Sequence, residues 1–270
     1  MRTIASLLMA ACLLCCSAAS QAGEITISKE EATRIGELIF YNECAGDEAL
    51  LTSWNLGEGF PSLGIGHFIW YPAGSSGPYK ESFPELIRFI DTHGVDIPGW
   101  LEAAIEKGAP WLSRNDFLAA QESQQMQELR TLLSETRPIQ TEFMIRRLHR
   151  SLPRMLASVP HAEQQHIQQQ FERVAATPMG HYALVDYVNF KGEGTQSTER
   201  YQGKGWGLLQ VLQGMQGQEA GDEALTEFAD AALAALTQRV KLAPPGRNEE
   251  RWLSGWTTRI NTYRPGASSR

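Results

Sequence analysis

Residues 53–71 read SWNLGEGFPSLGIGHFIWY, with glycines at 57, 59, 64 and 66 breaking up Trp54, Phe60, Ile65, Phe68, Ile69 and Trp70. Aromatic and branched residues between turn-forming glycines predict a β-hairpin or small irregular sheet. No other stretch reads convincingly as strand. Upstream, Ser28 followed by Glu31 is a capping box, and Ile35, Leu38, Ile39 and Asn42 continue at helical spacing until Gly46. Downstream, Ser82-Phe83-Pro84-Glu85 opens a second capped helix ending at Gly94, and 98–107 makes a short helix closed by Gly108. Amphipathic stretches at 114–134, 139–150, 160–176, 179–189, 208–215, 222–242 and 248–262 follow, separated by Pro or Gly. The pattern predicts an α+β protein, mostly helical, with one small sheet at 53–71 and a single domain over 23–270.

Composition narrows the function classes. Arg2, an apolar core over 4–16 and the small residues of Ser20-Gln21-Ala22 have the form of a signal peptide cleaved after Ala22, which predicts a periplasmic or secreted protein. The apolar core is shorter than the roughly 20 residues of a membrane helix, and no later run reaches that length, so no integral membrane segment is expected after signal removal. Cys12, Cys15 and Cys16 fall in the leader, which leaves Cys44 without an internal disulfide partner. A formal net charge of −7 with no basic block argues against nucleic acid as a partner. Neither a Gly-x-Ser-x-Gly, a phosphate loop nor a His-Glu-x-x-His occurs, so no metal or cofactor is expected.

The candidate chemistry begins at Glu43. Ile35, Ile39 and Glu43 lie at i, i+4 and i+8, so the carboxylate continues the apolar stripe of the first helix. In the last turn, the negative end of the helix dipole and partial burial both oppose ionisation, as a general acid requires. The same placement also suits a carboxylate paired with a buried arginine or capping a loop. A second constellation lies in 186–194, DYVNFKGEG, followed by Tyr201 and the GWGLLQ of 205–210. It combines a helix end, a Gly-rich loop and a helix start that would line the opposite wall of a cleft.

The helix ending in Glu43, followed by Ser62-Leu63-Gly64-Ile65-Gly66-His67 in the hairpin, resembles phage-type lysozymes, members of the lysozyme-like superfamily. The resemblance implies a muramidase in which Glu43 protonates a glycosidic oxygen, Ser62 helps to position water beneath the sugar and His67 supports the site. Glu58 is the hairpin carboxylate nearest the place of that family's aspartate; otherwise it is a solvated turn residue, and His67 a structural histidine. Gly207-Leu208-Leu209-Gln210 is similar to a segment of lytic transglycosylases, with Glu193 upstream as a reserve catalytic carboxylate. Trp54, Trp70 and Trp206 would offer flat faces to sugar rings, with Asn189 and Gln210 holding the glycan, whereas Trp100, Trp111, Trp252 and Trp256 read as core. The implied substrate is peptidoglycan or a related amino-sugar polymer. Two rival readings are a cell-wall amidase or peptidase built on Cys44 and His67, and a catalytically inactive module that binds glycan or a partner protein.

Overall fold

A computed structural model describes residues 27–267, so the leader at 1–22 lies outside the described residues. Helix α1 spans Lys29–Cys44; the Ser28 hydroxyl accepts the Glu31 amide at 3.1 Å at its start, and Ala45, at φ 50°, turns the chain out at its end. The expected small sheet is present as three antiparallel strands, β1 (Thr52–Ser53), β2 (Ser62–Leu63) and β3 (Phe68–Ile69). Ser62 pairs with Ser53 on one side and Ile69 on the other.

The helical part continues as α2 (Phe83–Asp91), α3 (Gly99–Ile105), α4 (Arg114–Ala119), α5 (Gln124–Glu135), α6 (Arg137–Ala157), α7 (His161–Ala175) and α8 (Gly180–Lys191). A two-stranded ribbon, β4 (Arg200–Tyr201) and β5 (Lys204–Gly205), precedes α9 (Leu208–Gly214), α10 (Asp222–Leu242) and α11 (Glu250–Asn261). The described residues thus form the mostly helical α+β architecture read from the sequence.

Four details differ from that reading, each for a local reason. The stretch 114–134 is two helices, because the Ser123 hydroxyl accepts the Met126 amide at 3.2 Å and starts a new one. Helix α6 runs past 150 and through Pro153 to Ala157, its last turns held on the core by the fully buried Met155. Ser82 caps no helix through its side chain; its hydroxyl accepts the Ile69 amide at 3.1 Å and ties α2 to the edge of the sheet. The ribbon at 200–205 gave no strand signal because each of its strands is two residues long.

Helix α6 is the axis of the molecule, packing along α1 and also touching α2, α7 and α8. A single hydrophobic cluster runs from Ile35 through Phe143 and Tyr187 to Tyr263. Among the described residues no helix is long and apolar enough to cross a membrane. Gln140 on α6, fully buried, fixes the tip between β2 and β3: its side-chain oxygen accepts the Ile65 amide at 3.0 Å while its nitrogen donates to the Leu133 carbonyl at 2.7 Å. Gly64, at φ +69°, passes so close that a Cβ there would lie 2.4 Å from the Gln140 oxygen.

The tryptophans depart from the expected division except at Trp111, buried in the core, and Trp100, partly buried against it. Trp54, Trp70 and Trp206 are buried, whereas Trp252 is 52 % exposed on α11 and Trp256 is half-buried. Trp54 donates its ring N–H to the Glu58 carbonyl at 2.8 Å and meets Phe117 edge-on at 5.7 Å, so its faces serve packing. In residues 53–71 the aromatics alternate with glycines because they fill the core beneath a thin sheet; on α11 the polar neighbours leave Trp252 outside.

Candidate functional site

Four elements converge on Glu43: the last turn of α1, the β2–β3 tip, α8 and the last turn of α11. Asp186, fully buried in the middle of α8, anchors the arrangement. Its carboxylate accepts from Arg259 Nε and Nη2, each at 2.8 Å, from the Tyr263 hydroxyl at 2.6 Å and from Asn42 Nδ2 at 3.2 Å. A buried carboxylate survives only with such a set of donors. Asn42 also donates to the Tyr182 hydroxyl at 2.9 Å, and that hydroxyl shares a 2.6 Å hydrogen bond with Thr262 Oγ1.

Arg259 carries the network outward, because its Nη2 donates to Glu43 Oε1 as well as to Asp186. Burial works against the Arg259 charge, but the Asp186 carboxylate, its hydrogen bonds and the Glu43 carboxylate outweigh that cost and hold the guanidinium more firmly protonated than usual. Burial, then the neighbouring Asp186, pushes the Tyr182 hydroxyl up to about 12 and that of Tyr263 well above its ordinary value, so both remain neutral donors. The other Glu43 oxygen faces His67 Nδ1 at 3.6 Å, within ion-pair range but too long for a direct hydrogen bond. Side-chain exposure rises outward, from 0 % at Asp186 through 13 % at Glu43 to 37 % at His67. His67 itself stands at φ 46°, a conformation imposed by the tip that Gln140 pins to α6.

The remaining hairpin candidates lie elsewhere on the sheet. Glu58 is exposed in the β1–β2 loop, where its carboxylate accepts from Asn55 at 3.2 Å, at the opposite end of β2 from the tip that carries His67. Ser62 is buried at the start of β2. Cys44, next to Glu43, is buried, and burial followed by the Glu43 charge pushes its thiol up to about 12, which removes the thiolate that a Cys44–His67 nucleophile would need.

The downstream constellation divides in two. Asp186 and Phe190 join the Glu43 corner, the Phe190 ring lying 4.4 Å from the Arg259 guanidinium. Glu193 turns toward solvent and pairs with the exposed Arg154 at 3.1 Å. Gln210 closes the glycine-rich segment: it accepts from the Gly207 amide at 3.1 Å and donates to the Gly194 carbonyl at 3.2 Å, and a Cβ on Gly207 would lie 2.2 Å from the Gly194 nitrogen. Trp206 is buried with the Arg239 guanidinium 4.1 Å over its ring. Asn189 is exposed on α8. Among the described residues no three His, Cys, Asp or Glu side chains gather as a metal site would require.

Arg259 and Tyr263 carry no sequence signal, being a lone arginine on an amphipathic helix and a lone tyrosine in the turn that follows it. Asp186 did leave a signal: it is the only charged residue between Tyr182 and Phe190, in an otherwise apolar helical run. An isolated acid in such a run must find a cation in the fold. No family model, no curated protein and no solved structure matches the chain.

Proposed function

We propose that this chain is an exported glycan-cleaving enzyme acting on peptidoglycan or a related amino-sugar polymer, with Glu43 as the group that protonates the glycosidic oxygen. The reading rests on one observation: a partly open carboxylate at the end of α1 is held between an arginine anchored by the fully buried Asp186 and the hairpin histidine. Fixed orientation and preplaced charge are what a proton-transferring group requires. Glu43 begins as the carboxylate paired with Arg259, takes up the proton that it passes to the leaving oxygen, and returns to the same pairing with no reorganisation.

Asp186 is enclosed and Glu58 belongs to a separate loop, so the corner presents one accessible carboxylate rather than the facing pair of the two-carboxylate route. A single acid–base group suits intramolecular displacement. The C6 hydroxyl gives its proton to the Glu43 carboxylate as its oxygen attacks the anomeric carbon of the same sugar, the glycosidic C–O bond breaks, and Glu43 passes that proton to the leaving oxygen. The product is an anhydro sugar. Glu193 remains the reserve acid, whereas Ser62, buried at the start of β2, has no part in this route. The shortage of a second carboxylate equally favours a glycan-binding module without turnover.

Mass spectrometry of fragments released from peptidoglycan tests these alternatives. Anhydro-muropeptides from the wild type that vanish with Glu43→Gln and persist with Glu193→Gln support the proposal. Reducing-end products would replace the intramolecular route by hydrolysis, and loss with Glu193→Gln alone would move the acid downstream. A wild type that binds glycan and releases nothing would be the inactive module.

A further inference from the structure

Arg239, Arg247, Glu249, Arg251, Trp252 and Trp256 line a cavity of about 510 Å³ between the end of α10 and the first turns of α11. Two of its charges are already satisfied. Arg239 donates to both Glu249 oxygens, at 2.7 and 2.9 Å, and the Tyr201 hydroxyl adds a third bond at 2.7 Å; the hydrogen bonds from Arg239 keep the Glu249 carboxyl below its usual range. The other two cations are not. Arg247 comes only within 4.0 Å of Glu249 and is 60 % exposed, and Arg251 has no carboxylate partner among the described residues, its guanidinium lying 4.9 Å from the Trp252 ring. Three arginines against one glutamate leave an excess of two positive charges here, in a chain whose formal net charge is −7.

The charge continues inward. The Lys191 ammonium sits 3.6 Å from the Trp256 ring centroid, and burial together with the Arg239 and Arg259 charges brings its pKa down to about 7. A site that disfavours its own cations is one that an anion relieves. Planar guanidinium groups take carboxylates in paired hydrogen bonds, and the open Trp252 ring offers a flat apolar face.

The cavity also leads to Glu43. Trp252, Trp256 and Arg259 lie at i, i+4 and i+7, one stripe of α11 about 10 Å long. Phe190 bridges its inner end, 6.4 Å from Trp256 and 4.4 Å from Arg259.

We infer that this cavity is an acidic-sugar subsite for glycan stripped of its stem peptides, in which Arg247 and Arg251 take the free lactyl carboxylate of the amino sugar, Trp252 receives its ring, and the strand is laid along α11 toward Glu43. The inference rests on the glycan reading of the preceding subsection and adds the sugar chemistry that the site selects.

Calorimetric titration of the mature protein tests it with three probes: an N-acetylglucosamine–N-acetylmuramic acid disaccharide, the same disaccharide with its carboxyl reduced to the alcohol, and neutral chitotriose. The expected result is binding of the acidic disaccharide at least about tenfold tighter than either neutral probe, weakened by added salt, and lost tenfold or more in Arg247→Gln/Arg251→Gln and in Trp252→Ala. These three side chains are exposed, so unchanged circular dichroism and melting temperature establish that the variants fold. Glu43→Gln should bind like the wild type. Equal affinity for acidic and neutral probes, unchanged binding in the cavity variants, or tighter binding of inorganic phosphate than of the disaccharide would each overturn the subsite. If the acidic disaccharide binds as expected but no glycan is ever cut, the subsite stands and the enzymatic reading fails.

Discussion

Glu43 and Glu193 each follow or close a helix, and each sits beside a glycine-rich segment, yet the fold treats them in opposite ways. Glu43 is the outer member of a line of charge that reaches back through Arg259 to the fully buried Asp186. Glu193 pairs with one surface arginine, and the residues around it, Gly194, Gly207 and Gln210, hold one another in place. A polar motif serves chemistry when its charge is supported from inside the core and remains reachable from outside; when its hydrogen bonds close on its own backbone it serves the chain path.

The contrast breaks first at Asp186. Replacing it with Asn leaves Arg259 with the partly open Glu43 as its remaining carboxylate, and the loss of the buried pair predicts destabilisation of about 3 kcal/mol in urea unfolding. Glu193→Gln removes only an exposed pair and should stay within about 1 kcal/mol in the same measurement. Comparable losses at the two sites would erase the distinction.

Activity sharpens it next. Glu43→Gln should reduce muropeptide release by about a hundredfold or more while the folded protein survives, because Arg259 keeps Asp186. If both carboxylates can be neutralised without slowing release, neither corner is the site of cleavage. On the structural side, Gly207→Ala should cost about 1–3 kcal/mol from the clash with the 193–194 backbone, read from thermal melting. A neutral result there would mean that the glycine-rich segment is free to move.

The smallest effect concerns α8, the helix that serves both regions. His149 on α6 lies 3.3 Å from His181 on α8, and burial followed by the His181 charge lowers its pKa to about 4. Its folded pKa lies below the unfolded value near 6.5, so the unfolded chain binds more protons between these two values. The associated stability is present above pH 6.5 and is lost as pH falls toward 4; for a ring only partly withdrawn from solvent it is on the order of 1 kcal/mol. Melting temperatures between pH 7 and pH 4 should decline, and His149→Gln should flatten that decline.

Much of the fold was legible in the sequence because its signals are local. Periodic apolar residues, the Ser28 cap and the glycines of 53–71 each act within a few positions, and the elements they specify are present. The departures arise where a side chain had two uses: Ser123 split a helix by capping, and Ser82 bonded to the sheet instead of its own helix. The site was legible only in its upstream half. Glu43 on the buried stripe and His67 in the hairpin do approach each other, while the partner that joins them, Arg259, comes from α11 and carried no local signal. Trp252 went astray for a related reason, since exposure on α11 depends on what α10 leaves uncovered.

The Glu43–Arg259 contact joins residues 216 positions apart. During folding, α1, the hairpin and α8 can assemble around α6 with Asp186 still lacking its cation, and the corner acquires its charge balance only when α11 docks. Contacts of such sequence separation carry a larger loop-closure cost than nearer ones. Helix α11 therefore completes the site from the far end of the chain: a chain shortened ahead of residue 250 would present Glu43 without the arginine that orients it and leave Asp186 without its cation.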